Sequence, residues 1–327
     1  MAIVHHQRPS LASYPIWLAA RLSLKPLLTY SPINRFTLAA LAFLGRLAGR
    51  QRPPRSVAVE HIELAGRPTE LVMAKGPTGG STDTAVLYLH GGAFISCSPG
   101  THRPITASLA KGLGVPVFAL DYRQLPQGGV GTSVHDAFEA YLELLGERGY
   151  RHVVVAGDSA GGFLTVKVAE LAATNDVARP TALALLSPLL DLDLGTRADR
   201  TSRHDAYLPM RQLEVLGPMF DWGPIPFTGA RRAADIDPTV FPPTIVITAQ
   251  DEMVEPDSIE LAGRLATAGR DLDLHSYPWQ VHAFTVPLRH REGRESVGLV
   301  VDFLADAIAA AHRVSADGAD SSTVEAV

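Results

Sequence analysis

The sequence predicts an α/β fold, a mostly parallel central sheet with helices on both faces and helical segments over one edge. Two observations carry this. Five short apolar runs have the length and residue types of buried parallel strands: AVLYL from 85, VPVFAL from 115, VVVA from 153, ALALL from 182 and TIVIT from 244. Helical patterns alternate with them near 103–112, 133–146, 160–174, 254–268 and 293–312, and such βαβα alternation implies a parallel sheet covered on both faces. In sheets of this kind ligands sit beyond the carboxyl ends of the strands. The residues that follow the runs are His90-Gly91-Gly92, Asp121-Tyr122-Arg123, Asp158-Ser159, Ser187-Pro188 and Gln250-Asp251, so reactive types crowd one edge of the sheet.

At 327 residues the chain can bury a large core. With 29 basic and 34 acidic residues and a net charge of −5, it lacks the basic excess that a nucleic-acid partner requires. The single cysteine, Cys97, can form no intrachain disulfide, so nothing ties the fold to an oxidising compartment and a cytoplasmic location is the expectation. Cys97 itself reads as a small buried hydrophobe.

Residues 1–52 are expected to form a helical cap segment. Arg21, Lys25, Arg35 and Arg46 interrupt the apolar run before it reaches the roughly 18 residues needed to span a bilayer, and the pattern of a signal peptide is absent. Amphipathic helices packed on the body are the expectation, with weak membrane-surface contact as the alternative. The core is expected over 53–189 and 239–313, with 190–238 inserted as a second cap segment because it is too long for an ordinary loop. Residues 314–327, small, polar and acidic, read as a disordered tail.

The stretch VVVAGDSAGGFL, 153–164, runs β-branched residues straight into Gly157-Asp158-Ser159-Ala160-Gly161 and then into an apolar helical pattern. A tight strand-to-helix turn with Ser159 at its apex explains this, since such a turn admits only small residues two positions either side. A serine hydroxyl needs a base, an acid to orient the base, and donors for the oxyanion it creates. For the base, His275 lies in an alternating strand pattern, whereas His282 follows that strand in a loop, and His282 is preferred. For the acid, Asp251 follows TIVIT and its short extension and is preferred over Asp257, which stands in the first turn of the next helix, where a carboxylate commonly complements the helix dipole. The order Ser159, Asp251, His282 is the one expected for α/β-hydrolases. The loop HGGAF, His90 to Phe94, supplies oxyanion donors from the backbone of Gly92 and Ala93, joined by Ala160, with His90 and Gly91 supporting the loop.

With YLHGGAF, ALDYRQLPQ followed by Asp136, GDSAGG, LLSPLLD, DEM and VHAF, the chain resembles the hormone-sensitive-lipase-like branch of the α/β-hydrolases, bacterial esterase family IV, from about Val86 to Val286. The resemblance implies an α/β-hydrolase fold, an N-terminal cap, and carboxylic-ester hydrolysis through an acyl-enzyme on Ser159, with Asp251 as acid and His282 as base. Three departures stand out. Ala93 replaces the third glycine of the family's HGGG, a variation that the family associates with bulky alcohol groups. Gln127 stands where a glutamate is usual, and Phe163 where an asparagine is usual, which suggests a more apolar helix face or acyl pocket. A peripheral lipase and a non-catalytic binding protein on the same scaffold are the competing readings. No P-loop, dinucleotide fingerprint or metal-ligand spacing is present, so neither cofactor nor metal is expected.

Overall fold

A computed structural model describes residues 3–76, 80–195 and 200–324. The five apolar runs form β4 (Thr84–Leu89), β5 (Val117–Leu120), β6 (His152–Asp158), β7 (Leu183–Leu186) and β8 (Thr244–Ala249), and the alternating segment forms β9 (Leu272–Tyr277). Around them lie β1 (Ile3–His5), β2 (Val57–Leu64) and β3 (Arg67–Ala74). The nine strands make one sheet in the order β1-β9-β8-β7-β6-β4-β5-β3-β2. Pairing is parallel from β1 across to β5 and antiparallel for β3 with β5 and β2 with β3.

Alternation along the buried strands divides the core between two faces. Leu87, Leu89, Val153, Val155, Leu183 and Leu185 share one apolar cluster with side chains of α5 (Val130–Leu145), α6 (Ala160–Thr174) and α8 (Glu255–Thr267). Val86, Tyr88, Val154, Ala156 and Ala184 share the other with α4 (Arg103–Leu113) and α9 (Arg291–Val324). Both faces being covered, the strands are apolar throughout, which is why they were readable as runs. β4 pairs with both β5 and β6. The chain therefore leaves β4 toward one side of the sheet and returns on the other, and the loops after β4 and β6 open side by side at a topological switch point.

The remaining helices, α1 (Ser13–Ala19), α2 (Lys25–Tyr30), α3 (Arg35–Ala48) and α7 (Met210–Leu216), lie outside the core elements, with a π-helical turn over Ala20–Leu24 joining α1 to α2. Asn34 and Thr37 cap α3 reciprocally, each side chain taking the other's backbone N–H. Two of the cations that break the N-terminal apolar run have tertiary partners: Arg21 donates to the Asp205 carbonyl at 2.7 Å and Lys25 to the same oxygen at 2.9 Å. Gln212 of α7 donates to the Thr29 carbonyl. These bonds tie the N-terminal helices to the 190–238 segment. Among the described residues, no helix is long and apolar enough to cross a membrane.

Three features differ from expectation. Residues 3–5 belong to the sheet, pairing with β9, rather than to a purely helical segment. The β2–β3 hairpin closes on Ala65 and Gly66, both at positive φ (50° and 67°), the requirement of a type I′ turn; these outer strands carry Glu60, His61, Glu63, Pro68 and Glu70 and lack the apolar-run signal. Finally, α9 continues through Val324, so residues 314–324, expected as a disordered tail, extend a helix, while 325–327 lie outside the described residues.

Candidate active site

Ser159 sits between β6 and α6 at φ 49° and ψ −118°, a conformation an L-residue adopts only when its surroundings enforce it. The surroundings are tight. A Cβ on Gly157 would meet the Gly161 carbonyl, and one on Gly161 would meet the Leu89 carbonyl at the end of β4. Ser159 N–H donates to the Leu186 carbonyl at 2.9 Å, fixing the turn to β7.

His282 lies in the loop after β9, with Nε2 2.8 Å from Ser159 Oγ. Its loop is held from two sides: Ala283 N–H donates to Ser187 Oγ at 3.0 Å, and the Tyr207 hydroxyl donates to the His282 carbonyl at 3.1 Å. His275 is turned elsewhere, its Nδ1 3.1 Å from Nε2 of His6.

The carboxylate at His282 belongs to Glu252, with Oε2 2.8 Å from Nδ1. This corrects the expectation that Asp251 fills the position. Asp251 takes φ 64° in the turn after β8, and its side chain is exposed. Its own amide donates to Glu255 Oε2 at 2.7 Å. Glu252, one residue later, is buried, and Oε1 accepts from Thr248 Oγ1 at 2.6 Å and Ala249 N–H at 3.1 Å. The left-handed residue turns the chain so that the second acid of the DEM stretch faces inward, and the extra methylene of glutamate spans the gap. The signal was present as two adjacent carboxylates; choosing between them needed the turn. Asp257 stands in the first turn of α8 as expected, and is in addition buried against Arg200 at 2.6 Å, which reaches Asp191 at 3.1 Å.

A carboxylate only accepts, so His282 Nδ1 carries the proton and Nε2 presents its lone pair to the Ser159 hydroxyl. Burial opposes the imidazolium, but the hydrogen bond from His282 to Glu252 and that carboxylate's charge outweigh it, and His282 is held above its ordinary value.

The loop after β4 faces Ser159. Gly92 has φ 120°, and a Cβ there would strike the Ser96 carbonyl, so only glycine fits. The amides of Gly92, Ala93 and Ala160 have no hydrogen-bond acceptor among the described residues. Asp158 anchors this loop from beneath. It accepts from Gly91 N–H at 3.0 Å and from the Tyr88 hydroxyl at 2.8 Å, and His102 Nε2 lies 3.1 Å away. Burial works against its charge, but His102 and Tyr88 hold Asp158 below the usual carboxylate range, and burial of His102 is likewise outweighed by Asp158, which holds that histidine up. Sequence reasoning missed the His102–Asp158 pair because its members are 56 residues apart. His90 is pushed down to about 3 by burial and by His102. It is neutral, with Nδ1 2.7 Å from the Gly91 carbonyl and its ring stacked on Tyr122 at 4.5 Å.

A cavity of about 810 Å³ opens over Ser159 and His282. Leu24, Leu27, Leu41 and Leu44 of the N-terminal helices wall one side, and Tyr207, Leu208 and Leu213 another. Cys97 lines it, half-buried rather than fully enclosed. Phe163 does not line the cavity; it is buried below, edge-on to Phe94 at 6.5 Å, so it makes the helix face more apolar without shaping the pocket. Gln127 is exposed, and its backbone amide donates to the Gln124 carbonyl at 2.8 Å.

Residues 86–286 match the α/β-hydrolase fold family. The chain belongs to that family. Among the relatives it resembles are esterases. It is 32% identical to the carboxylesterase/phospholipase LipF of Mycobacterium tuberculosis, over 92% of this chain and 83% of that protein. It is 33% identical to the esterase LipU of the same organism, over 73% and 84% respectively. The fold is that of a crystallised esterase of the bacterial hormone-sensitive lipase family, with a TM-score of 0.79 at 24% identity, covering 92% of this chain and 100% of that one. These relatives, a carboxylesterase and an esterase, support serine-type ester hydrolysis as the activity of the chain.

Proposed function

We propose that this ester hydrolase works through Ser159, His282 and Glu252, with Gly92, Ala93 and Ala160 as oxyanion donors. The observation that carries the reading is His282 bridging Ser159 Oγ and Glu252 Oε2 at 2.8 Å on each side. His282 Nε2 takes the hydroxyl proton as Oγ attacks the ester carbonyl, and Glu252 stabilises the resulting imidazolium. The tetrahedral oxyanion falls to the three amides, those of Gly92 and Ala93 from the loop after β4 and that of Ala160 at the N-terminus of α6, where the helix dipole favours negative charge. Collapse of that intermediate, with the His282 proton passing to the alkoxide, releases the alcohol and leaves an acyl-Ser159. Water activated by the same histidine then frees the acid.

The apolar walls and volume of the cavity suit short-to-medium acyl chains. Ala93 keeps the amide of a third glycine, so the oxyanion site is complete, and the resemblance that ties this variation to bulky alcohols extends the proposed substrates to such esters. An activated ester should give a burst of alcohol equal to the enzyme concentration, with the acyl group recovered on the Ser159 peptide. Absence of a burst with rapid deacylation excluded by acid quenching removes the acyl-enzyme. A rate series over acyl length and alcohol bulk sets the preference.

A second reading is favoured by Leu22, Leu27, Phe43 and Leu44, which the N-terminal helices leave exposed. These could rest on a lipid surface and admit esters from it. Faster turnover on emulsified than on monomeric ester supports this; equal rates reject it.

A further inference from the structure

At the opposite end of the sheet, Asp83, His152 and His312 bring one ligand atom each to within 4.8 Å of one another. Asp83 precedes β4, His152 begins β6 in register with Thr84, and His312 comes from α9. Seven residues of β6 separate this cluster from the nucleophile turn, roughly 20 Å at strand rise. We propose that the three side chains bind one divalent transition-metal ion of the Zn²⁺ class.

The donor set is two imidazoles and a carboxylate, which zinc accepts with a fourth position left to water. Bonds of about 2.0–2.1 Å place tetrahedral ligands about 3.3 Å apart. His312 Nε2 lies 3.3 Å from Asp83 Oδ1, so two ligands already span that edge. The third needs only a small ring movement, since the His152 and His312 rings stand 4.5 Å apart at 53°. Among the described residues no hydrogen bond is made to the His152 ring nitrogens, and the ring itself packs against His312. Asp83 is oriented by the hydroxyls of Ser81 and Thr84, the outer support that metal-ligating carboxylates use. A cavity of about 290 Å³ lined by Ser81, Val115, Ile308 and His312 opens beside the cluster and gives an ion a route in. Arg151, 3.9 Å from Asp83 Oδ2, is the competing cation; its side chain is 76% exposed and free to swing out. The ion would clamp the last helix to the feet of β4 and β6. No ligand spacing in the sequence announces the site, because its members are scattered over three elements.

The test is calorimetric titration of the chelator-treated full chain with Zn²⁺. Saturation near one equivalent is expected, together with a rise in the unfolding midpoint. His312→Gln keeps a hydrogen-bonding group toward Thr84 but no imidazole; it should weaken binding at least about tenfold and abolish the midpoint rise. Ester turnover in this variant should stay unchanged. Co²⁺ should give the visible bands of a tetrahedral complex, lost in both His312→Gln and Asp83→Asn. His6→Gln, at the other paired histidines, should leave all of this intact. No saturable binding, binding that survives His312→Gln, or binding lost in His6→Gln overturns the proposal.

Discussion

Glu252 Oε2 lies 2.8 Å from Nδ1 of His282, while the neighbouring acid, Asp251, stands exposed on the outside of the same turn. Exchanging either carboxylate for its amide therefore separates two residues that the sequence alone cannot rank. Glu252→Gln should lower kcat by about 10³- to 10⁴-fold, because the amide cannot stabilise the imidazolium and can favour the wrong tautomer. Asp251→Asn should leave turnover within about twofold, as expected of a surface group. Steady-state kinetics of both variants decide the matter, and the reverse ranking would return the acid to Asp251.

Ser159→Ala should lower ester hydrolysis by several powers of ten with the circular dichroism spectrum unchanged. His282→Ala should cost about as much, and the double variant little more, since residues that act as a unit are not additive. His275→Ala, whose ring faces His6, should retain most activity.

The pH profile carries the imprint of Glu252. Only neutral His282 can accept the Ser159 proton, and Glu252 overcomes burial to hold this histidine above its ordinary value. Activity is therefore absent at low pH and gained as pH rises through that elevated value, so kcat/KM for a neutral ester should reach half its plateau above about pH 6.5. In Glu252→Gln the chief upward influences are gone and the midpoint should move down. A midpoint that stays in place in the variant refutes this origin of the shift.

Gly161→Ala should damage the fold and the site together. Its new methyl would meet the Leu89 carbonyl, a backbone atom that cannot swing aside. A loss of about 3 kcal/mol in denaturant unfolding is expected, with turnover per folded molecule reduced because the Ser159 turn must shift.

Arg200→Leu tests stability apart from chemistry. It would leave Asp191 and Asp257 buried without their shared guanidinium, at a cost of about 3–5 kcal/mol. Asp257→Asn should weaken the fold while sparing hydrolysis. Loss of activity at an unchanged unfolding midpoint would give Asp257 a part in the chemistry.

The central strands and the nucleophile turn were legible in residue order, because both depend on local sequence. Buried parallel strands are apolar on both faces and so stand out as runs, and the Ser159 turn excludes Cβ atoms at Gly157 and Gly161 through contacts set by its own backbone and by β4. The His90–Phe94 loop was legible for the same reason. The outer strands were not: β1 is three residues long and takes its pairing from β9, far along the chain, and β2 and β3 carry charged residues and a proline that break the apolar run. Which carboxylate reaches His282 was not legible in residue order. DEM offers two carboxylates one residue apart, and the left-handed turn at Asp251 sends the first outward and the second to His282. The tertiary structure also decided the His102–Asp158 support and the Asp83, His152 and His312 cluster, whose members meet because strands and helices from distant segments converge. Periodicity records which side of an element is buried; which charged groups meet across elements depends on register, turns and side-chain reach.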